Sequence, residues 1–133
     1  MPVYAYAEAV RCLEQALKLQ QVVAPENEDL RCDLLLALGR AQLPLGQPGN
    51  VVATAATEAF ALAESADRLR ASRAALLALE ALHRQSTGKV FGHMFRLWAE
   101  RAGRFAPHGS PERVHADVAM ARVAQVTGRM RKP

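Results

Sequence analysis

The sequence predicts an all-α chain of antiparallel helix hairpins, and three observations carry that expectation. Aromatic residues make up only 5% of the 133 residues, while alanine and leucine are abundant; such a composition favours helices and gives strands little to build on. In 30–63, Leu34, Leu35, Leu38 and Ala41 recur at three- and four-residue steps and stop at Pro44 and Gly46. Ala56, Phe60 and Ala63 then line one face of a second segment, so the stretch is an amphipathic helix with a written stop and a helix that returns along it. The small-large-small spacing of Ala56, Phe60 and Ala63 recurs at Ala9, Leu13 and Ala16, so the hairpin has copies. With 50% apolar content, the chain 1–133 reads as one domain with a real core.

Helix 1 is expected over 3–23, with Ala9, Leu13, Ala16 and Leu17 on one side and Arg11, Glu14, Gln15 and Lys18 largely on the other. Pro25 and Asn27 break the pattern, and Glu28 or Asp29 favours the positive N-terminus of helix 2, expected over 29–43. Gly39 removes a side chain in mid-helix at a cost of about 1 kcal/mol relative to alanine. Close approach to the alanine strip of Ala56 and Ala63 is the expected compensation. The loop from Leu45 to Asn50 has turn composition, and helix 3 follows over 51–65. Ser65, Ala66 and Asp67 mark a reversal, with Asp67 able to cap helix 4 over 68–86. Ser86, Thr87 and Gly88 separate it from helix 5, over 89–105, whose spaced positions are Phe95, Ala99 and Ala102. Ser110 before Pro111 is an N-cap with a first-turn proline and starts helix 6, expected to run to about 127 before Gly128. Loops are thus expected near 24–28, 45–50, 66–67, 87–88 and 106–110.

The order Leu35-x2-Leu38-Gly39-x2-Gln42, then Gly46, then Ala56-x3-Phe60-x2-Ala63 resembles the signature of a tetratricopeptide repeat. Ala74, Leu77, Ala78 and Ala81 on helix 4, and Met120 and Ala121 on helix 6, resemble further copies of the first-helix pattern. Gly39, Ala78 and Ala121 then fall at intervals of 39 and 43 residues, longer than the roughly 34 of the standard repeat. Degenerate long repeats of this kind, with the text RLWAERAGRFAPHGSPERVHADVAMARV, look like the arrays inside large bacterial signalling regulators. There an ATPase module precedes the repeats and a LuxR-type DNA-binding domain or a cyclase can be attached. The resemblance implies a right-handed superhelical stack, cut from a longer array, whose first helices line a concave groove for a protein or peptide. Carried over to this chain, the groove face comprises Asp33, Leu36, Arg40 and Leu43 on helix 2. On helix 4 it comprises Ser72, Ala75, Leu79, Leu82 and His83, and on helix 6 His115, Val118, Arg122 and Gln125. The lysine-asparagine clamp that some members use for a chaperone tail would need those types at Leu36 and Arg40, or at Ala75 and Leu79, and is absent.

No phosphate loop, GxSxG or HExxH occurs, and His83, His93, His108 and His115 never pair at i, i+4 on one helix. No catalytic constellation, metal site or cofactor is expected, and the chain reads as non-enzymatic. Cys12 and Cys32 are too few for a disulfide framework and are expected as buried thiols. The net charge is +4, a mild excess that suits an acidic peptide. Arg122, Arg129, Arg131 and Lys132 gather near the C-terminus, where cations suit the helix dipole. Without the aromatic or glycine pattern of a nucleic-acid module they do not imply a nucleic-acid partner. No apolar run reaches the roughly 18 residues of a membrane span and no secretion signal opens the chain, so a cytoplasmic location is expected. Helix 1 lacks a partner before it and helix 6 lacks one after it, so self-association through the terminal helices is expected. The alternative role is a small-molecule effector-sensing domain of a bacterial transcription activator.

Overall fold

Three helices begin where a side chain takes up one of the first unpaired backbone N–H groups. In the computed structural model, which describes residues 3–46, 49–84 and 93–131, Asn27 accepts the N–H of Leu30 at 3.1 Å, Asp67 that of Arg70 at 3.1 Å and Ser110 that of Arg113 at 3.1 Å. The six helices are α1 (Val3–Val23), α2 (Glu28–Gln42), α3 (Gly49–Ala63), α4 (Arg68–Arg84), α5 (His93–Phe105) and α6 (Pro111–Arg131). Among the described residues there is no strand.

Every helix packs against the next in sequence, and α2 also packs against α4, and α4 against α6. Arg68 at the start of α4 donates to the carbonyl of Arg104 near the end of α5 at 2.8 Å, so α5 runs back along α4 and α6 returns beside it. Alanine makes the close packing possible. Ala56, Ala59, Ala71, Ala74, Ala75 and Ala78 are all fully buried, and side chains this small let helix axes approach. Phe60 fills the space that remains, meeting Trp98 edge-on at 5.6 Å and Phe105 at 5.4 Å between ring centroids. Through these rings α3 touches α5, a contact that contributes beyond simple area burial. At the other end, Gln20 of α1 is buried and accepts from Arg31 of α2 at 3.2 Å, while Arg31 pairs with Glu58 of α3 at 2.7 Å.

Several sequence expectations change. A Cβ on Gly39 would lie 2.5 Å from Cδ2 of Leu77, so the glycine admits a leucine of α4 and not the alanine strip of α3. Cys32 is buried and donates to the carbonyl of Ala59 at 3.4 Å, but Cys12 is exposed; among the described residues α1 is packed by α2 alone, so much of its surface stays in water. α3 begins at Gly49 and ends at Ala63, two residues earlier at each end than expected. Gly46 terminates its turn with φ +68°, whereas α6 continues through Gly128 to Arg131, because that glycine keeps helical torsions. Ala121 is exposed while Ala116 is fully buried, and Met120 is the residue that lies against Gly103 of α5. The copy on α6 is therefore in register one residue earlier than the spacing from Gly39 implies. The expected break at Ser86, Thr87 and Gly88 lies outside the described residues.

Candidate partner-binding cleft

An open cleft of about 450 Å³ lies along α2, α4 and α6. α4 contributes Arg73, Leu76, Leu77, Leu79, Glu80 and His83, α6 contributes Glu112, His115, Val118, Ala119 and Arg122, and α2 contributes Arg40. Phe95 of α5 closes the base. The three- and four-residue steps of 73, 76, 80 and 83 trace one stripe of α4, as 112, 115, 119 and 122 do on α6. The opposite stripe of α4 carries the buried alanines, so its charged Arg73 and Glu80 face the cleft, above the buried Leu77 and Leu79.

Of the residues expected on the groove face, Arg40, Leu79, His83, His115, Val118 and Arg122 line the cleft together. The others do not. Leu36 is only 3% exposed and belongs to the core, as do Leu43 and Ala75. Ser72 is fully buried, its hydroxyl donating to the carbonyl of Leu69 at 2.8 Å. Leu82 is half-buried against the core. Asp33 is occupied by Arg70, whose guanidinium donates to both carboxylate oxygens at 2.8 and 2.9 Å. Gln125 is exposed on α6 away from the cleft lining. The side chains of Arg129, Arg131 and Lys132 lie outside the described residues.

Arg73, Leu76, Leu77, Glu80, Phe95, Glu112 and Ala119 also line the cleft and were missed in the sequence. On α4 the repeat spacing selected Ser72, Ala75, Leu79, Leu82 and His83; Leu79 and His83 line the cleft, whereas Ser72 and Ala75 lie one residue before the outward-facing Arg73 and Leu76. The amphipathic pattern contained the signal: an arginine, a glutamate and a histidine at 73, 80 and 83 mark the solvent side of a helix whose other face is alanine.

Charge is unevenly matched along the cleft. Arg73 pairs with Glu112 across α4 and α6 at 3.2 Å. The carboxyl of Glu112 is held below the usual range, first by its own backbone N–H and then by Arg73. Glu80 pairs with Arg84 at 3.4 Å. Among the described residues no carboxylate lies within ion-pair distance of Arg40 or Arg122, and Arg40 acts on Asp33 only at longer range, behind Arg70. The cleft thus combines an apolar floor of leucine, valine and phenylalanine with two unmatched guanidinium groups and two exposed imidazoles. That arrangement can hold an anionic group whose stem is apolar. No helix among the described residues is long and apolar enough to cross a membrane. Comparisons with protein-family models, with curated proteins and with solved structures find no match.

Proposed function

We propose that the chain is a non-enzymatic interaction module, a tetratricopeptide-like, right-handed stack of helix hairpins that holds an acidic peptide segment or a neighbouring domain. The observation that carries this reading is the origin of the cleft: every lining residue except Phe95 comes from α2, α4 or α6, the alternate helices of the stack. A surface made by successive first helices lengthens as hairpins are added and suits an extended or helical segment. The mild positive charge and the unmatched Arg40 and Arg122 favour an acidic one.

Titrating acidic amphipathic peptides into the protein by calorimetry tests the proposal. Arg40→Glu with Arg122→Glu is expected to weaken binding and flatten its salt dependence. Folding stays intact, because exposed charges contribute about 0–1 kcal/mol to stability. A bound peptide with unchanged affinity and unchanged salt dependence in the double variant overturns the assignment. The second reading is an effector sensor of a transcription activator, favoured by the cleft's 450 Å³, which lies within the roughly 300–1,000 Å³ of small-molecule sites. Thermal stabilisation by one compound of a metabolite panel, with none by the peptides, selects that reading.

A further inference from the structure

The ion pairs divide the cleft into two unlike ends. Asp33 meets Arg70 and, further along both helices, Gly39 meets Leu77, so α2 and α4 run in the same direction; α6 runs with them because α5 reverses between. Near their N-termini Arg73 is matched by Glu112, and His115 stands one turn after Glu112 on the same face of α6. Toward the other end, Arg40 lies in the last turn of α2 and His83 in the last turn of α4, with Arg122 at the middle of α6. The carboxylate at that end, Glu80, is engaged by Arg84. Leu76, Leu77, Leu79 and Val118 lie on the floor between.

We infer that the cleft selects a partner segment whose acidic side chains are grouped at one end of an apolar stretch, the acids meeting Arg40 and Arg122 and the apolar residues covering the leucine floor. The inference rests on the peptide-binding reading and adds the pattern of the ligand. A segment with the same residues in alternation places carboxylates over Leu76 and Leu79, where they lose water without gaining a partner, and others beside the Arg73–Glu112 pair, whose charges already offset each other. Internal side-chain carboxylates meet the requirement, so a free C-terminus is not needed.

Two acetylated, amidated peptides of about twelve residues, made of the same leucines, alanines and glutamates, test this by fluorescence anisotropy. One has its glutamates in a block after the apolar residues and the other has them interspersed. The block peptide is expected to bind about tenfold more tightly to the wild-type chain. Arg40→Gln with Arg122→Gln should erase that preference, while Arg73→Gln with Glu112→Gln, which removes the matched pair, should leave it in place; thermal unfolding confirms that each variant is folded. Equal affinity for the two peptides, or a preference that survives in the Arg40→Gln, Arg122→Gln variant, overturns the inference and leaves the acidic-peptide reading standing. No binding of either peptide by the wild type removes both.

Discussion

Gly39 and Leu77 meet so closely that the helix tolerates its glycine for want of room for anything else. Alanine at 39 gains about 1 kcal/mol of helix propensity, but its Cβ, 2.5 Å from Leu77 Cδ2, displaces a leucine that is only 4% exposed. Overpacking of that kind costs about 1–3 kcal/mol. Gly39→Ala is therefore expected to destabilise by about 1 kcal/mol in urea unfolding. Combined with Leu77→Ala, it should recover part of what Leu77→Ala alone loses; additive losses would show that the two positions do not press on each other. Arg70 is the second decisive residue. It donates to Asp33, and it holds Asp67 first through its backbone N–H and then through its guanidinium, so both carboxyls titrate below their ordinary values. A carboxylate with a depressed folded pKa stabilises the fold above its unfolded pKa, near 3.9, and that contribution disappears as pH falls through the folded value. Arg70→Met is expected to lose about 1–2 kcal/mol at neutral pH, discounted for the half-exposed Asp33, with the gap to wild type narrowing as pH falls below about 3.9. A pH-independent gap means the arginine acts by packing alone. The two thiols separate in the same manner: burial, then Asp33, pushes Cys32 up to about 11, whereas Cys12 is exposed. A maleimide should label Cys12 alone in the native protein, and both cysteines in denaturant.

At the scale of the element, the helices were legible because their punctuation is chemical. Asp67 and Ser110 were recognisable as caps from residue type and place, and both accept the N–H three residues on. The limits of α3 and α6 were less legible, since Gly49 and Gly128 can stand inside a helix or end it, and only the surrounding packing decides. The cleft was half legible. On α6 the residues His115, Val118 and Arg122 were identified as facing it, though from a register that the burial of Ala116 and exposure of Ala121 displace. On α4 the repeat spacing placed Ser72 and Ala75 on the open face, yet both are completely buried, because α4 is packed by α2, α3, α5 and α6 and its small residues lie within those contacts. Small side chains permit close packing without stating which neighbour they face. Charged ones are more informative, since burial without a partner is costly.

For the whole molecule, the first and last described helices both leave apolar side chains exposed. Among the described residues α1 packs on α2 alone, and its outer side leaves Leu19, Val22 and Val23 63–80% exposed. α6 is covered, among the described residues, by α5 and α4 alone, and Val114 is 63% exposed. In the proposed hairpin stack, α1 has the character of a second helix and α6 that of a first. One copy's α6 can therefore pair with another's α1. Such a contact joins unlike surfaces, so it propagates head-to-tail and need not close into a ring. Burying these apolar side chains supplies the drive, against an entropic cost of association of several kcal/mol, so association is expected to be weak and concentration-dependent. Light scattering from micromolar to millimolar protein should show the mean mass rising, and Leu19→Glu with Val22→Glu should abolish the rise without unfolding the chain, because both residues are already in water. A mass that stays at 14.5 kDa throughout rules the pairing out, and a rise that persists in the double variant places the contact elsewhere than on α1.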